Sequence, residues 1–527
     1  MKRARNASVQ QKADAFLKIA PQFRLGELDT EKPHPKTTEL SCLVETDLAQ
    51  AVSIMKDIDL AAIGSMAAHQ DLIQKMKRDM EETLNNNGRV FLVGCGSTGR
   101  LSLALEVFWR KLKKGTKYSE SVVSFMAGGD TAIIKSIEDF EDYPDFAARQ
   151  LKELGFRQGD LLIACTEGGE TPFVIGAAET ALTLSNRKPY FLYCNPDEIL
   201  MGLTDRTTRT LKNSSIVKIN LSVGPMSLSG STRMQATTVL MYAVGLALLN
   251  VFEEVDVKGD IQFLAELIKQ TDFSFLQDFI LHESELYQDG KFLLYQTHDD
   301  LGISILTDTT ERAPTFTLHP FENSFVDSHP PSLVYLCLPQ AENSREAWQV
   351  LLGREPRALG WESYPITDQN YLYGFDFSQA VIEKRTKKVA PAELISFEIK
   401  RTRNHFEFNF NQKKHSLKIE GLNLLQQQVL IKIILNTHST LVMGKLGRYE
   451  SNLMTWVKAS NNKLIDRAAR YIDLLLKRKG IELSYADILY YLFEEIEKNY
   501  ENKSLVLEAV NRICEQEART RNANMGS

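Results

Sequence analysis

The chain has 527 residues, enough for two to four domains with cores of their own. Its 43% hydrophobic and 25% charged content is ordinary for a soluble globular protein. A formal charge of −6 is small for this length and argues neither for nucleic acid nor for an acidic membrane surface as a partner, and neither is expected.

Residues 1–40 are polar, with Pro21, Pro33 and Pro35, and read as an extended N-terminal arm. Its basic start, Met1-Lys-Arg-Ala-Arg-Asn, leads into no apolar run, so no secretion signal is expected. From Glu45 to Leu84 the apolar spacing is helical, as in Leu48, Val52, Met55, Ile58 and Leu60. Short apolar runs then follow at Val90–Val93, Val122–Met126, Asp160–Ala164 and Tyr190–Cys194. Helical patterns such as Phe146–Leu154 and Val174–Leu184 separate them. This alternation predicts a parallel sheet with helices on both faces.

Met234 to Phe252 is uncharged over a length that could span a bilayer, but its polar and small residues favour a buried core helix. After a helical bridge near Ile261–Leu281, a second pass of the same kind is expected. Lys291–Tyr295 is strand-like, and Leu301–Ile305, Thr315–Leu318, Leu333–Leu338 and Phe397–Lys400 continue the alternation. Gln296-Thr-His-Asp-Asp300 stands where the first pass has a glycine-rich turn, so the second copy reads as degenerate scaffold. Leu422–Leu446 looks like a closing helix, and Asn462–Leu507 predicts two or three amphipathic helices.

The six cysteines lack paired or metal-ligand spacing, which fits reduced thiols in a cytoplasm. Nine histidines form no HxH or HExxH pattern, so no metal is expected, and no cofactor either.

Chemistry concentrates in glycine- and hydroxyl-rich turns. Gly94-Cys-Gly-Ser-Thr-Gly-Arg100 joins an apolar run to a helical one, and glycines with free N–H groups at a helix start suit a phosphate. The same spacing fits a dinucleotide fingerprint, but Glu120, the acid at the right distance, precedes the second strand instead of following it. A purely structural turn is the third reading. Three further patches resemble parts of one site: Met126-Ala-Gly-Gly-Asp130 with Ile137–Asp142, Thr166-Glu-Gly-Gly-Glu-Thr-Pro172, and Gly224–Arg233.

In this order the motifs resemble the sugar isomerase (SIS) fold, in the branch of the N-acetylmuramic acid 6-phosphate etherases and the glucokinase regulatory protein. GAGTSGR is met at 94–100 and IAGG…EGAED at 126–129 and 138–142. ASGRTPYV is met at 167–174, CNP at Cys194-Asn-Pro196, and TGSTRMKAGT at 229–237. The resemblance implies an α/β fold of two SIS domains, the second degenerate, with a C-terminal helical lid. It divides the chain into an arm (1–40), a first SIS domain with its preceding helices (41–258), a second (259–460) and the lid (461–527). It implies that Ser97, Thr98, Thr166, Ser229 and Ser231 hold a sugar phosphate, with Gly96, Glu138, Glu141, Gly168 and Thr171 around it. Lys463 would reach in from the lid and Glu311 from the second domain.

Etherase chemistry needs a base for the proton alpha to a carbonyl and an acid for the departing lactate oxygen. Glu141 matches the family base. The family acid lies nine residues after the last glycine of the loop, and Phe108 holds that position. Glu106, two residues away on a helix, is turned about 200° to another face. Gly168 and Glu170 replace a serine and an arginine, and Gln235 replaces a lysine. Two carboxylates near a phosphate would repel it unless they turn away or the ligand carries an amine or a cation. The leading expectation is therefore a cytoplasmic, plausibly monomeric sensor of a phosphorylated hexose or amino sugar, acting on a sugar kinase or in amino-sugar metabolism. The alternative is an etherase-like lyase or sugar-phosphate isomerase, and the third is a scaffold with a vestigial site.

Overall fold

The structure is a computed structural model that describes residues 6–23, 25–137, 140–326, 329–459, 461–498, 500 and 503–525. The first sheet is built from five short, mostly apolar runs: β1 (Val90–Gly94), β2 (Val122–Met126), β3 (Leu161–Cys165), β4 (Tyr190–Tyr193) and β5 (Val217–Asn220). All pairings are parallel and the order is β2-β1-β3-β4-β5. The first four strands are fully buried, which is why they read as unbroken apolar runs. The strand order reverses between β1 and β3, and ligands of open parallel sheets bind beyond the carboxyl ends at such a point.

The uncharged segment folds as the Gln235–Leu249 helix, every residue of which is buried. It packs against the Gly96–Leu112 helix, and Gly245 lies so close to Leu425 that a Cβ would meet that side chain at 2.5 Å. Among the described residues no helix is long and apolar enough to cross a membrane.

The second sheet departs from the expected repeat. Its strands are β6 (Phe292–Gln296), β7 (Val334–Cys337), β8 (Leu394–Arg401), β9 (His405–Phe410) and β10 (Lys413–Lys418), in the order β10-β9-β8-β6-β7. Only β6, β7 and β8 are parallel, and β8, β9 and β10 form an antiparallel meander. Leu301–Ile305 is not a strand: it lies within the Asp299–Phe316 helix, which also takes in the start of Thr315–Leu318.

The N-terminal segment is not extended either. Asn6 caps an Ala7–Ile19 helix that buries Val9, Ala13 and Phe16, and Phe16 meets Phe493 at 6.3 Å. Short 3-10 turns carry the chain on to Thr37. The C-terminal region is helical as expected, with helices at Asn462–Arg478, Tyr485–Ile496 and Leu505–Met525.

Candidate functional site

The glycine turn between β1 and the Gly96–Leu112 helix is shaped by close approach. Gly96 has φ +50°, and a Cβ on Gly99 would lie 2.6 Å from that of Met126 on β2. The Thr98 hydroxyl accepts from the Cys95 N–H at 3.0 Å and donates to the Cys95 carbonyl at 2.9 Å, so it closes the turn. Ser97 is half-buried and carries the hydroxyl that faces a cavity of about 210 Å³ at the switch point.

Gly96, Ser97, Glu141, Thr171, Ser231, Glu311 and Lys463 all line that cavity. They come from the segments that follow strands of the first sheet, the Asp299–Phe316 helix and the Asn462–Arg478 helix, three regions far apart in sequence. Four other expected residues do not line it. Thr98 is spent on its turn. Thr166 pairs with the Thr171 hydroxyl at 2.9 Å and accepts from the Gly169 N–H. Ser229 donates to the Glu31 carbonyl at 2.6 Å, and the Gly168 carbonyl accepts from Asn195. These groups brace the loops around the cavity. Glu138 lies outside the described residues.

Ser231 is buried, and its hydroxyl has no hydrogen-bond partner among the described residues. Lys463 is the second residue of the Asn462–Arg478 helix, whose start is capped by the Asn461 side chain. Burial would lower its ammonium pKa, but the carboxylates of Glu141 and Glu170 hold it above the ordinary lysine value. Glu170 turns from the cavity: its carboxylate binds Arg206 at 2.6 Å and lies 3.8 Å from Lys463. Glu167 does line the cavity. Its carboxyl accepts from the Thr237 hydroxyl at 3.1 Å, and burial pushes it up to about 7.

One charged lining residue lies outside the sequence motifs. Arg467 stands one helical turn after Lys463, a spacing of four that put both on one face. Glu31 holds its guanidinium at 2.6 and 2.9 Å, from a polar N-terminal segment whose composition carries no signal for the contact. Arg233, deep in the wall, donates to Asp308, Ser439 and Thr440.

Phe108 is buried in the core and carries no acid, as its position in the motif implied. Glu106 is fully buried among Arg110, Arg354 and Arg357, and these guanidiniums overcome burial to hold it well below the usual carboxylate range. Glu120 pairs with Arg110 at 2.7 Å near the start of β2, at the opposite end of the sheet from the glycine turn. The dinucleotide reading thus lacks its ribose-binding acid. Among the described residues no group of three His, Cys, Asp or Glu converges as a metal site.

Residues 71–182 match the family model described as the glucokinase regulatory protein N-terminal SIS domain. The chain is 33% identical over 214 residues to an N-acetylmuramic acid 6-phosphate etherase of Clostridium acetobutylicum, covering 41% of this chain and 65% of that protein. It is 29% identical over 215 residues to the etherase of Rhodopirellula baltica, covering 41% and 66%. It therefore spans just under two thirds of the length of these relatives. With the Bacillus subtilis etherase the identity is 27% over 324 residues, covering 59% and 97%. Among solved structures, the C-terminal domain of glucosamine-fructose-6-phosphate aminotransferase from Francisella tularensis aligns at 9% identity and TM-score 0.34, covering 75% of this chain and 96% of that one. Residues 71–182 thus resemble the SIS domain of the glucokinase regulatory protein, and the chain is similar over part of its length to N-acetylmuramic acid 6-phosphate etherases.

Proposed function

We propose that the cavity binds a phosphorylated amino sugar and that the chain is an etherase-like carbon–oxygen lyase with Glu141 as its base. One observation carries the reading: the Gly96–Ser97 helix start, Glu141 and Lys463 line a single cavity. A phosphate suits the free N–H groups and the lysine, and the carboxylate of Glu141 in the same cavity is suited to remove a proton alpha to the sugar carbonyl. Ser97, Ser231 and Thr171 orient the sugar, and Glu311 approaches it from the second domain. The similarity to proteins named as etherases favours this reading over the sensor. The proposed division into an arm, two SIS domains and a lid gives each partner of the site its own unit, so a monomer suffices. A cytoplasmic location belongs to the same proposal.

The second reading keeps the binding and drops the chemistry. It is favoured by the match of residues 71–182 to a regulatory protein and by the loss of an acid at Phe108. Lid closure over a sugar phosphate would then pass the ligand state to a sugar kinase.

A proton NMR time course with N-acetylmuramic acid 6-phosphate separates the two. Protein-dependent release of free lactate supports the lyase. Broadening of ligand signals without lactate supports the sensor, and neither signal removes both.

A further inference from the structure

The proposed elimination needs a second carboxyl group, and the residue in the family position is a phenylalanine. Four other carboxylates lie near enough to be considered. Glu106 is enclosed by three arginines on the far side of its helix, and Glu170 is held by Arg206. Glu311 faces the cationic side chains of Arg100, Arg233 and Lys432 and belongs to the second domain. Glu167 is different. It lines the same cavity as Glu141, it is 8% exposed, and among the described residues it has no ion pair.

We propose that Glu167 is the general acid, a role that rests on the lyase reading of the site. It stands just beyond β3, across the switch point from the glycine turn on β1. Its backbone is fixed, since its carbonyl accepts from the Cys194 N–H at 3.0 Å and from Asn195. Its side chain is steadied by Thr237 at the start of the buried Gln235–Leu249 helix. Elimination breaks the C2–H and C3–O bonds of the open-chain sugar and forms a C2–C3 double bond. Glu141 takes the C2 proton, and Glu167 gives its proton to the departing lactate oxygen. Water then adds: its hydroxyl bonds to C3 as Glu167 takes its proton, and Glu141 returns a proton to C2, so both carboxyl groups regain their starting states. Burial lifts the Glu167 carboxyl to about 7, the range in which a general acid works near neutral pH.

The chain departs from the family at this spot. The etherase pattern has an alanine where Glu167 stands and an acid where Phe108 stands, so one acid is lost and another gained.

The test uses the full chain, N-acetylmuramic acid 6-phosphate and deuterated water. In Glu167→Gln, lactate release should fall by on the order of 100-fold or more while deuterium exchange at C2 persists, because the base remains. The basic limb of the pH–rate profile should also vanish in that variant. In Thr237→Val, loss of the hydroxyl donor should move that limb to higher pH, a shift that a merely structural role would not produce. Wild-type lactate release matched by Glu167→Gln with the same profile overturns the assignment of the acid and leaves the lyase reading intact. Wild-type protein that binds the sugar phosphate without releasing lactate overturns both. A folded Glu167→Gln that loses exchange and lactate together shows a structural residue and overturns the acid alone.

Discussion

Trp361, carried by the second half of the chain, stacks on Phe140, the residue just before Glu141, with ring centroids 5.6 Å apart and planes 20° from parallel. Tyr364 meets Phe140 edge-on at 4.6 Å, and Arg149 lies over the Trp361 ring at 4.1 Å. The indole N–H donates to Glu153 at 3.0 Å. The segment around Trp361 therefore straps the turn that presents Glu141. Trp361→Ala should slow C2 exchange by on the order of 10-fold or more, since a small displacement of a reacting group is expensive in rate. Affinity for the sugar phosphate should change little, and Trp361→Phe should keep most of the rate. Exchange kinetics set beside a binding isotherm read the two effects separately, and equal loss of both would remove the positioning role.

A second tie between the halves is ionic. Glu106 accepts from Arg357 at 2.8 and 2.9 Å, from Arg354 at 3.1 Å, from Arg110 at 2.9 Å and from the Ser124 N–H and hydroxyl. Removing one partner of a buried ionic cluster leaves the others unpaired, so Glu106→Gln should cost about 3–5 kcal/mol of stability. The sign with pH also follows. The folded carboxyl is held below its ordinary value of 4.5, so its contribution is present above that pH and is lost as acid protonates it. Denaturant unfolding at pH 7 and pH 4 checks this, and the gap between wild type and Glu106→Gln should be wider at pH 7.

These contacts explain what could be read from the sequence and what could not. β1 to β4 are buried on both faces, so each is an apolar run bounded by turn residues, and the run itself is the signal. Leu301–Ile305 is also an apolar run, but it is one flank of a helix packed between elements, and five residues hold too little periodicity to tell the two apart. β9 carries the alternation Phe406, Phe408, Phe410 of a strand with one buried face, a pattern masked by its charged and polar neighbours. The glycine turn, Glu141 and Lys463 were legible because local motifs surround them. Glu31 and Trp361 were not, since each matters through a partner more than 200 residues away and neither lies in a local pattern.

Glu167 predicts a pH dependence of opposite sign. Burial lifts its carboxyl from 4.5 to about 7, so between those values the folded chain holds a proton that the unfolded chain has released. Stability contributed by this group is thus present below about pH 4.5 and lost as pH rises through about 7. A separation of about 2.5 pH units corresponds to about 3 kcal/mol. Glu167→Gln keeps the shape without the ionisation, so it should match wild type near pH 4.5 and become the more stable protein at pH 8. Thermal unfolding of the two proteins across that range measures the difference, and parallel curves would show that Glu167 titrates normally.

Lys463 should matter for the phosphate and not for the sugar ring. Its nearest carboxylate among the described residues is 3.8 Å away, whereas Arg467 is held by Glu31, Arg233 by Asp308, and Arg100 donates to the Ala132 and Ile133 carbonyls. An incoming phosphate can therefore take Lys463 without first breaking a short ion pair. A hydrogen bond to a charged group contributes about 1.5–3 kcal/mol, so Lys463→Met should weaken glucose 6-phosphate binding by about 10- to 100-fold. Binding of glucose itself should be unchanged, and the salt dependence of phosphosugar binding should become shallower. Calorimetric titrations of both ligands at two ionic strengths supply all three comparisons. Glu31→Gln works in the other direction on the same helix. It frees Arg467 inside the cavity and removes a buried tie to the N-terminal segment, so the Asn462–Arg478 helix should loosen while the cavity gains positive charge. Faster amide exchange along that helix in Glu31→Gln, reduced again when glucose 6-phosphate is added, is the expected result. Exchange that stays at the wild-type rate would show that the helix does not depend on the Glu31 contact.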